Sequence, residues 1–284
     1  MRRAWRVTSG VGVPAPGISE AEGKENGNGV AARLPPIPIR RAENMKRTIT
    51  IMACFAIVAL PVSAMESSAA PHVEPCVVII LGDSITEQAT NETGFVTLLQ
   101  RSDSMAGTKI IGAGVTGDKM KDGLARLKAD VLRHRPHTVV VMLGINDAWE
   151  WSVAPDKTKE KADFIENLKS VVNQIRASGA RVFVCTPTVL GERESGRNRF
   201  DPILEECCTL IRDTARGMSA PLLDMHSVFR EYLKKNNPKD QSAGVLTKDG
   251  VHLNAKGHRL IADLLKKALQ KTRTVEPENP GDKK

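Results

Sequence analysis

The chain has 284 residues and a formal net charge of +8, with 41 Lys and Arg against 33 Asp and Glu. Residues 1–64 alone carry nine basic and four acidic side chains, so the rest holds 32 and 29. So thin a margin is not the clustered basic face of a nucleic-acid binder, and nucleic acid is not an expected partner.

Residues 1–44 hold Pro14, Pro16, Pro35, Pro36 and Pro38 among many Gly, Ala and Arg, with no sustained apolar period. Such a stretch buries too little surface to offset its ordering entropy. It is expected to be disordered or a spurious extension of the reading frame. Met45 opens a different text: Lys46-Arg47, an apolar run from Ile49 to Leu60, then Val62-Ser63-Ala64. These are the charged, apolar and cleavage regions of a secretory signal peptide, and the run is too short to span a bilayer comfortably. Residues 45–64 are therefore expected to direct export to the periplasm or beyond, with cleavage near Ala64 and no stable membrane span in the mature chain. Cys54 lies inside the apolar run, a poor place for lipid attachment. Residues 65–75 read as a linker.

From residue 76 to 271, short β-branched runs alternate with longer helical patterns. Val77–Leu81 is the first predicted strand, followed by Gly82-Asp83-Ser84 and a helix over Gly94–Ser104. Lys109–Ile111 is the second, followed by the Gly112–Gly117 loop and a helix over Lys119–Arg133. Thr138–Leu143, apolar almost throughout as a strand covered on both faces should be, runs into Gly144-Ile-Asn146-Asp147 and a helix over Lys159–Ala177. Arg181–Thr186 precedes a helix over Pro202–Arg216, and Pro221–Leu223 precedes one over His226–Lys235. A last helix runs from Asn254 to Gln270, with Leu260, Ile261, Leu264, Leu265 and Ala268 at helical spacing behind an N-cap at Asn254. Residues 272–284 read as a disordered tail. Alternation of this kind with short links implies an α/β fold of three layers, a parallel sheet between helices, and right-handed crossovers favour a flavodoxin-like five-stranded order.

In such sheets ligands bind outside the carboxyl ends of the strands, where the Gly82, Gly112–Gly117 and Gly144–Asp147 segments all fall. Ser84 is a nucleophile candidate there, although a serine after a strand also commonly caps a helix. His252 is the candidate general base, and Asp249, three residues earlier in Asp249-Gly-Val-His252, its orienter. Gly117, Asn146 and the Ser84 backbone N–H are candidate oxyanion donors. Asp83, Gly144 and Asp147 read as residues that orient the loops. Trp149 and Trp151 read either as a flat wall for a sugar ring or acyl chain, or as packing residues.

These motifs resemble the SGNH hydrolases, the GDSL lipase/acylhydrolase family. The four letters fall on Ser84 in Gly-Asp-Ser-Ile, Gly117 in Gly-Val-Thr-Gly-Asp, Asn146 in Gly-Ile-Asn-Asp and His252 in Asp-Gly-Val-His, with the likeness running from about Val77 to Leu269. Ile85 stands where leucine is usual. Gly112-Ala-Gly114-Val-Thr-Gly117 also satisfies a dinucleotide-binding fingerprint. Its preceding strand is short, however, and His137 stands where an acidic residue is wanted. No Gly-x-Ser-x-Gly elbow surrounds Ser84. Cys76, Cys185, Cys207 and Cys208 fit no zinc spacing. Free buried thiols are expected of them, with one bridge as the alternative. Neither a metal nor a cofactor is expected.

The expectation is an exported serine esterase working through an acyl-enzyme on short acyl esters, O-acetyl groups of carbohydrate foremost. A lysophospholipase, longer-chain esterase or thioesterase is the alternative within the family, and a catalytically silent carbohydrate-binding protein the alternative outside it.

Overall fold

The computed structural model describes residues 75–153 and 156–273. The expected extension over 1–44, the signal peptide over 45–64, the linker up to residue 74 and the tail beyond 273 lie outside the described residues. Five strands among the described residues form one parallel sheet: β1 Cys76–Gly82, β2 Thr108–Gly114, β3 Thr138–Met142, β4 Arg181–Cys185 and β5 Leu222–Leu223. Their order is β2-β1-β3-β4-β5, the flavodoxin-like arrangement. Ile79, Ile80, Leu81, Val139, Val140 and Val141 are at most 1% exposed, as strands buried on both faces require.

Among the described residues, eight α-helices complete the layers: α1 Ser84–Gln88, α2 Phe95–Gln100, α3 Met120–Asp130, α4 Ile145–Val153, α5 Thr158–Ala177, α6 Asp201–Gly217, α7 Met225–Asn236 and α8 Ala255–Arg273. Packing joins α3 to α5, α5 to α6 and α6 to α4, while α2 lies against α8. The amphipathic stripe of α8 behaves as expected, burying Ile261, Leu265 and Leu269. That helix also continues two residues past the boundary expected at residue 271.

The differences from expectation have local causes. Strand β2 extends through Gly112, Ala113 and Gly114, which pair with Ile80, Leu81 and Gly82. Two glycines lower strand propensity, but here they admit a neighbour: a Cβ on Gly114 would lie 2.1 Å from the Glu87 backbone nitrogen in α1. Gly112 and Gly114 thus belong to a strand rather than to the turn that opens a phosphate-binding helix. Helix α1 is too short to show a period, and α4 begins at Ile145, inside the segment that leaves β3. Gly144 makes the break between β3 and α4 at φ 126°, and its carbonyl accepts the first helical hydrogen bond from Ala148.

Cys76, Cys185, Cys207 and Cys208 are free thiols. Burial pushes the last three well above the usual thiol range. Cys207 Sγ donates to the Gly144 carbonyl at 3.4 Å, fixing α6 under the β3–α4 corner.

His258, on the first turns of α8, is 1% exposed, and neither of its ring nitrogens has a hydrogen-bond partner. The Phe95 ring lies 5.8 Å away. Burial, with the charge of Lys248, lowers its pKa to about 4. Between about pH 6.5 and 4 the unfolded chain takes up a proton that the folded chain refuses, so stability falls as pH falls through that window, by up to about 3 kcal/mol. Replacing His258 by Leu removes this loss. Urea unfolding at pH 7 and pH 4.5 is expected to show a smaller drop for the variant than for the wild type, and equal drops would contradict the assignment.

Candidate active site

Parallel register sets the ends of three strands level: Gly82 pairs with Gly114 on one side and Met142 on the other. The segments that leave them carry Ser84, Gly117 and Asn146. Asp83 caps α1, its Oδ1 accepting from the Ile85 backbone N–H at 2.9 Å, and so turns Ser84 onto the first helical position. Ser84 is 7% exposed.

The fourth segment comes from the far end of the chain. Ser84 Oγ lies 3.1 Å from His252 Nε2, and His252 Nδ1 lies 2.7 Å from Asp249 Oδ2. With Nδ1–H donated to the carboxylate, Nε2 is the acceptor for the serine hydroxyl. The other Asp249 oxygen accepts from the backbone N–H groups of Val251 and His252 at 3.0 and 2.8 Å. Burial alone would raise the Asp249 pKa, but these hydrogen bonds and the imidazole hold it below the usual carboxylate value. Asp249 therefore stays ionised and orients the ring. Chemically, the chain of three can take a proton from the hydroxyl and stabilise the resulting imidazolium.

Gly117 sits at φ 84°, exposed, where an added Cβ would meet no atom within 4 Å. Its glycine is demanded by backbone conformation rather than by crowding. Asn146 lies in the first turn of α4, and its Nδ2 donates one hydrogen to the Asp118 carbonyl at 2.9 Å. An amide nitrogen has two hydrogens, and this bond anchors the Asn146 side chain through one of them.

Side chains of α1, α3 and α4 hold residues 115–120 by hydrogen bonds. Thr116 donates from its backbone N–H to Glu87 Oε2 at 2.8 Å and also from its hydroxyl. Arg126 reaches back from α3, donating from Nε to Asp118 Oδ2 at 2.5 Å and from Nη2 to the Gly82 and Ala113 carbonyls at 2.8 and 3.0 Å. Asp147 accepts from the Met120 N–H through both oxygens, at 3.2 and 3.1 Å, at the positive end of α3. Asp83 and Asp147 each accept a backbone N–H at the start of a helix. Glu87, Asp118 and Arg126 were not foreseen. Their partners lie far away in sequence, and a lone Glu or Arg on a helix carries no local sign of such a duty.

Burial raises the carboxyl pKa of both Asp83 and Asp147 to about 7, while that of Asp249 stays low. Of the two tryptophans, Trp149 is partly exposed and packs at a tilt against Phe200, ring centroids 4.6 Å apart. Trp151 is 1% exposed, edge-on to Phe164 at 5.3 Å. The idea of Trp151 as a substrate wall is thereby corrected: α4 turns alternate aromatics to opposite sides, and Trp151 belongs to the core. The charged Arg193–Arg199 loop lines a separate cavity of about 620 Å³ with residues of α7, including Arg230, Leu233 and Lys234. None of Ser84, Asp249 or His252 lines it. Among the described residues, no group of three or more His, Cys, Asp or Glu is placed to hold a metal ion.

Comparison with known proteins matches a model of the GDSL-like lipase/acylhydrolase family over residues 80–260. An acetylxylan esterase of Geobacillus stearothermophilus is 27% identical over 203 residues, 65% of this chain and 89% of that one. The thioesterase 1/protease 1/lysophospholipase L1 of Escherichia coli K12 is 27% identical over 199 residues, 68% of this chain and 82% of its own. Among solved structures, the acetyl xylan esterase AlAXEase superposes with a TM-score of 0.64 at 33% identity, covering 68% of this chain and 99% of its own.

The geometry makes a definite chemical prediction. A fluorophosphonate is expected to label one residue, Ser84, and His252→Ala to slow labelling by ~10²-fold or more. Labelling elsewhere, or at an undiminished rate in the variant, would count against activation of Ser84 by His252.

Proposed function

The chain belongs to the GDSL-like lipase/acylhydrolase family and is a carboxylic ester hydrolase; we propose that it is exported and removes short acyl groups, O-acetyl groups of carbohydrate foremost. The observation that carries the mechanism is the hydrogen-bonded series Ser84 Oγ, His252 and Asp249 at the carboxyl edge of the sheet.

Ser84 attacks the ester carbonyl while His252 Nε2 takes its proton. Negative charge on the carbonyl oxygen is met by the backbone N–H groups of Ser84 and Gly117 and by the second Nδ2 hydrogen of Asn146. His252 returns the proton to the departing alkoxide, leaving an acyl-serine. Water then enters, gives its proton to His252 and attacks the acyl carbon. Collapse of the second tetrahedral species releases the acid and restores Ser84. Asp249 keeps Nδ1 protonated throughout and balances the imidazolium. No step calls for a metal or a cofactor.

Similarity to two acetylxylan esterases supports a short acyl group. The Escherichia coli relative supports the second reading, a lysophospholipid or thioester substrate. Export rests on residues 45–64. No helix among the described residues is long and apolar enough to cross a membrane.

Hydrolysis of p-nitrophenyl esters from acetate to palmitate by the full chain tests the proposal. Turnover is expected to peak at acetate and to fall by on the order of 10³-fold or more in Ser84→Ala. Asn146→Ala is expected to lower kcat by about 10²–10³-fold with little change in KM. A peak at long chains would select the lipid or thioester reading, and carbohydrate binding without turnover the silent one. N-terminal sequencing of the secreted protein is expected to begin near Met65. A mature chain that retains Trp5 would remove the case for cleavage.

A further inference from the structure

The segment that carries Asp249 and His252 has almost no regular structure of its own. Between α7 and α8 it makes one isolated antiparallel bridge, Thr247 with Leu253. Loops of this kind are ordinarily mobile, yet catalysis of the proposed kind needs the imidazole held to a fraction of an ångström.

A single carboxylate gathers this segment. Glu192 lies in the loop after β4 and is 0% exposed. Its Oε2 accepts from the Val245 backbone N–H at 2.7 Å. Its Oε1 accepts from the backbone N–H groups of Leu246 and Thr247 and from the Thr247 hydroxyl, the first and last at 2.7 Å. The Thr247 hydroxyl in turn accepts from the Gly250 N–H at 3.0 Å. The neighbouring backbone closes the same seam: Gly191 N–H donates to the Gly250 carbonyl at 2.8 Å, and Glu192 N–H to the Ser242 carbonyl at 3.0 Å. Asp249 stands between Thr247 and Gly250, the two residues this relay ties down.

We propose that Glu192 is the positioning residue for the Asp249–His252 pair, its buried carboxylate acting through Thr247 and Gly250 to set where Asp249 meets the imidazole. Four donors reach the carboxylate, three at Oε1 and one at Oε2, and a carboxylate accepts each more strongly than a neutral oxygen would. A neutral amide in its place would turn an NH₂ group towards backbone N–H groups. Asp249 would then drift from Nδ1, and the imidazolium formed in the reaction would lose part of its stabilisation. Glu192 touches neither substrate nor reacting atoms. The inference rests on the esterase reading, whose machinery it supports.

The test compares p-nitrophenyl acetate hydrolysis by the full chain with that of Glu192→Gln. The expected result is a kcat lowered by on the order of 10²-fold with KM little changed. The acid limb of the kcat/KM profile is expected to move to lower pH, because a less well-paired imidazolium gives up its proton more readily. Thr247→Val and Thr247→Ser supply a milder pair should the Gln variant fail to fold. The serine keeps the hydroxyl relay and is expected to keep both the rate and the pH profile, whereas the valine is expected to lose them in the direction of Glu192→Gln. Full activity and an unmoved profile in Glu192→Gln would overturn the proposal. So would equal behaviour of the Thr247 pair. Failure of the wild type itself to hydrolyse any ester or to react with a fluorophosphonate would instead strike the esterase reading.

Discussion

A hydroxyl and an imidazole 168 positions apart in the chain stand 3.1 Å from each other, and most of the architecture answers to that requirement. Ser84 is fixed early, at the end of a strand buried on both faces, by a capping carboxylate and a five-residue helix. His252 arrives late, on an irregular segment that must be carried to the same edge of the sheet. The rigid half of the pair comes from parallel pairing, and the irregular half is brought to it by hydrogen bonds to side chains. Neither half is useful alone, since an isolated serine hydroxyl is a poor nucleophile at neutral pH.

The carboxylates around this pair show how surroundings divide one functional group among several duties. Asp249 is held low by its hydrogen bonds and remains an anion beside the imidazole. Asp83 and Asp147 are buried, and burial raises each to about 7. Each keeps a backbone N–H as partner at a helix start, so their work is to hold backbone in place. A carboxyl that is protonated for part of the neutral range still accepts such a bond, and it places less negative charge behind the nucleophile than an ionised one would. Separation of pKa values by environment is what lets like groups share one site.

The legible part of the site is its local part. The fivefold β/α alternation, the apolar β3 and the stripe of α8 are repeated patterns, so strand order and core follow from them with small shifts at the ends. Ser84, Gly117, Asn146 and the Asp249–His252 spacing stand out because each sits in a short segment whose residue types suit one kind of chemistry. The supports were not legible for the opposite reason. Glu87 meets Thr116 across 29 residues, Arg126 meets Gly82 across 44 and Glu192 meets Thr247 across 55. A charged side chain with such a partner looks in sequence like any solvated one. Trp151 illustrates the converse: an aromatic beside a motif suggests a ligand wall until α4 shows which side it faces.

The level ends of β1, β2 and β3 carry one more consequence. Gly82, Gly114 and Met142 share a rung, so a residue added to any of the three segments beyond them would displace one member of the site against the others. At the opposite edge, Gly107 precedes β2 and Gly179 stands two residues before β4, in turns where an added Cβ would meet nothing within 4 Å. The molecule thus has one edge whose segment lengths are constrained and another open to change. Gly107 is tied to β1 through its carbonyl, which accepts from the Cys76 N–H, so insertions belong at Gly179, where the scaffold can be enlarged without touching the spacing of the three strand ends.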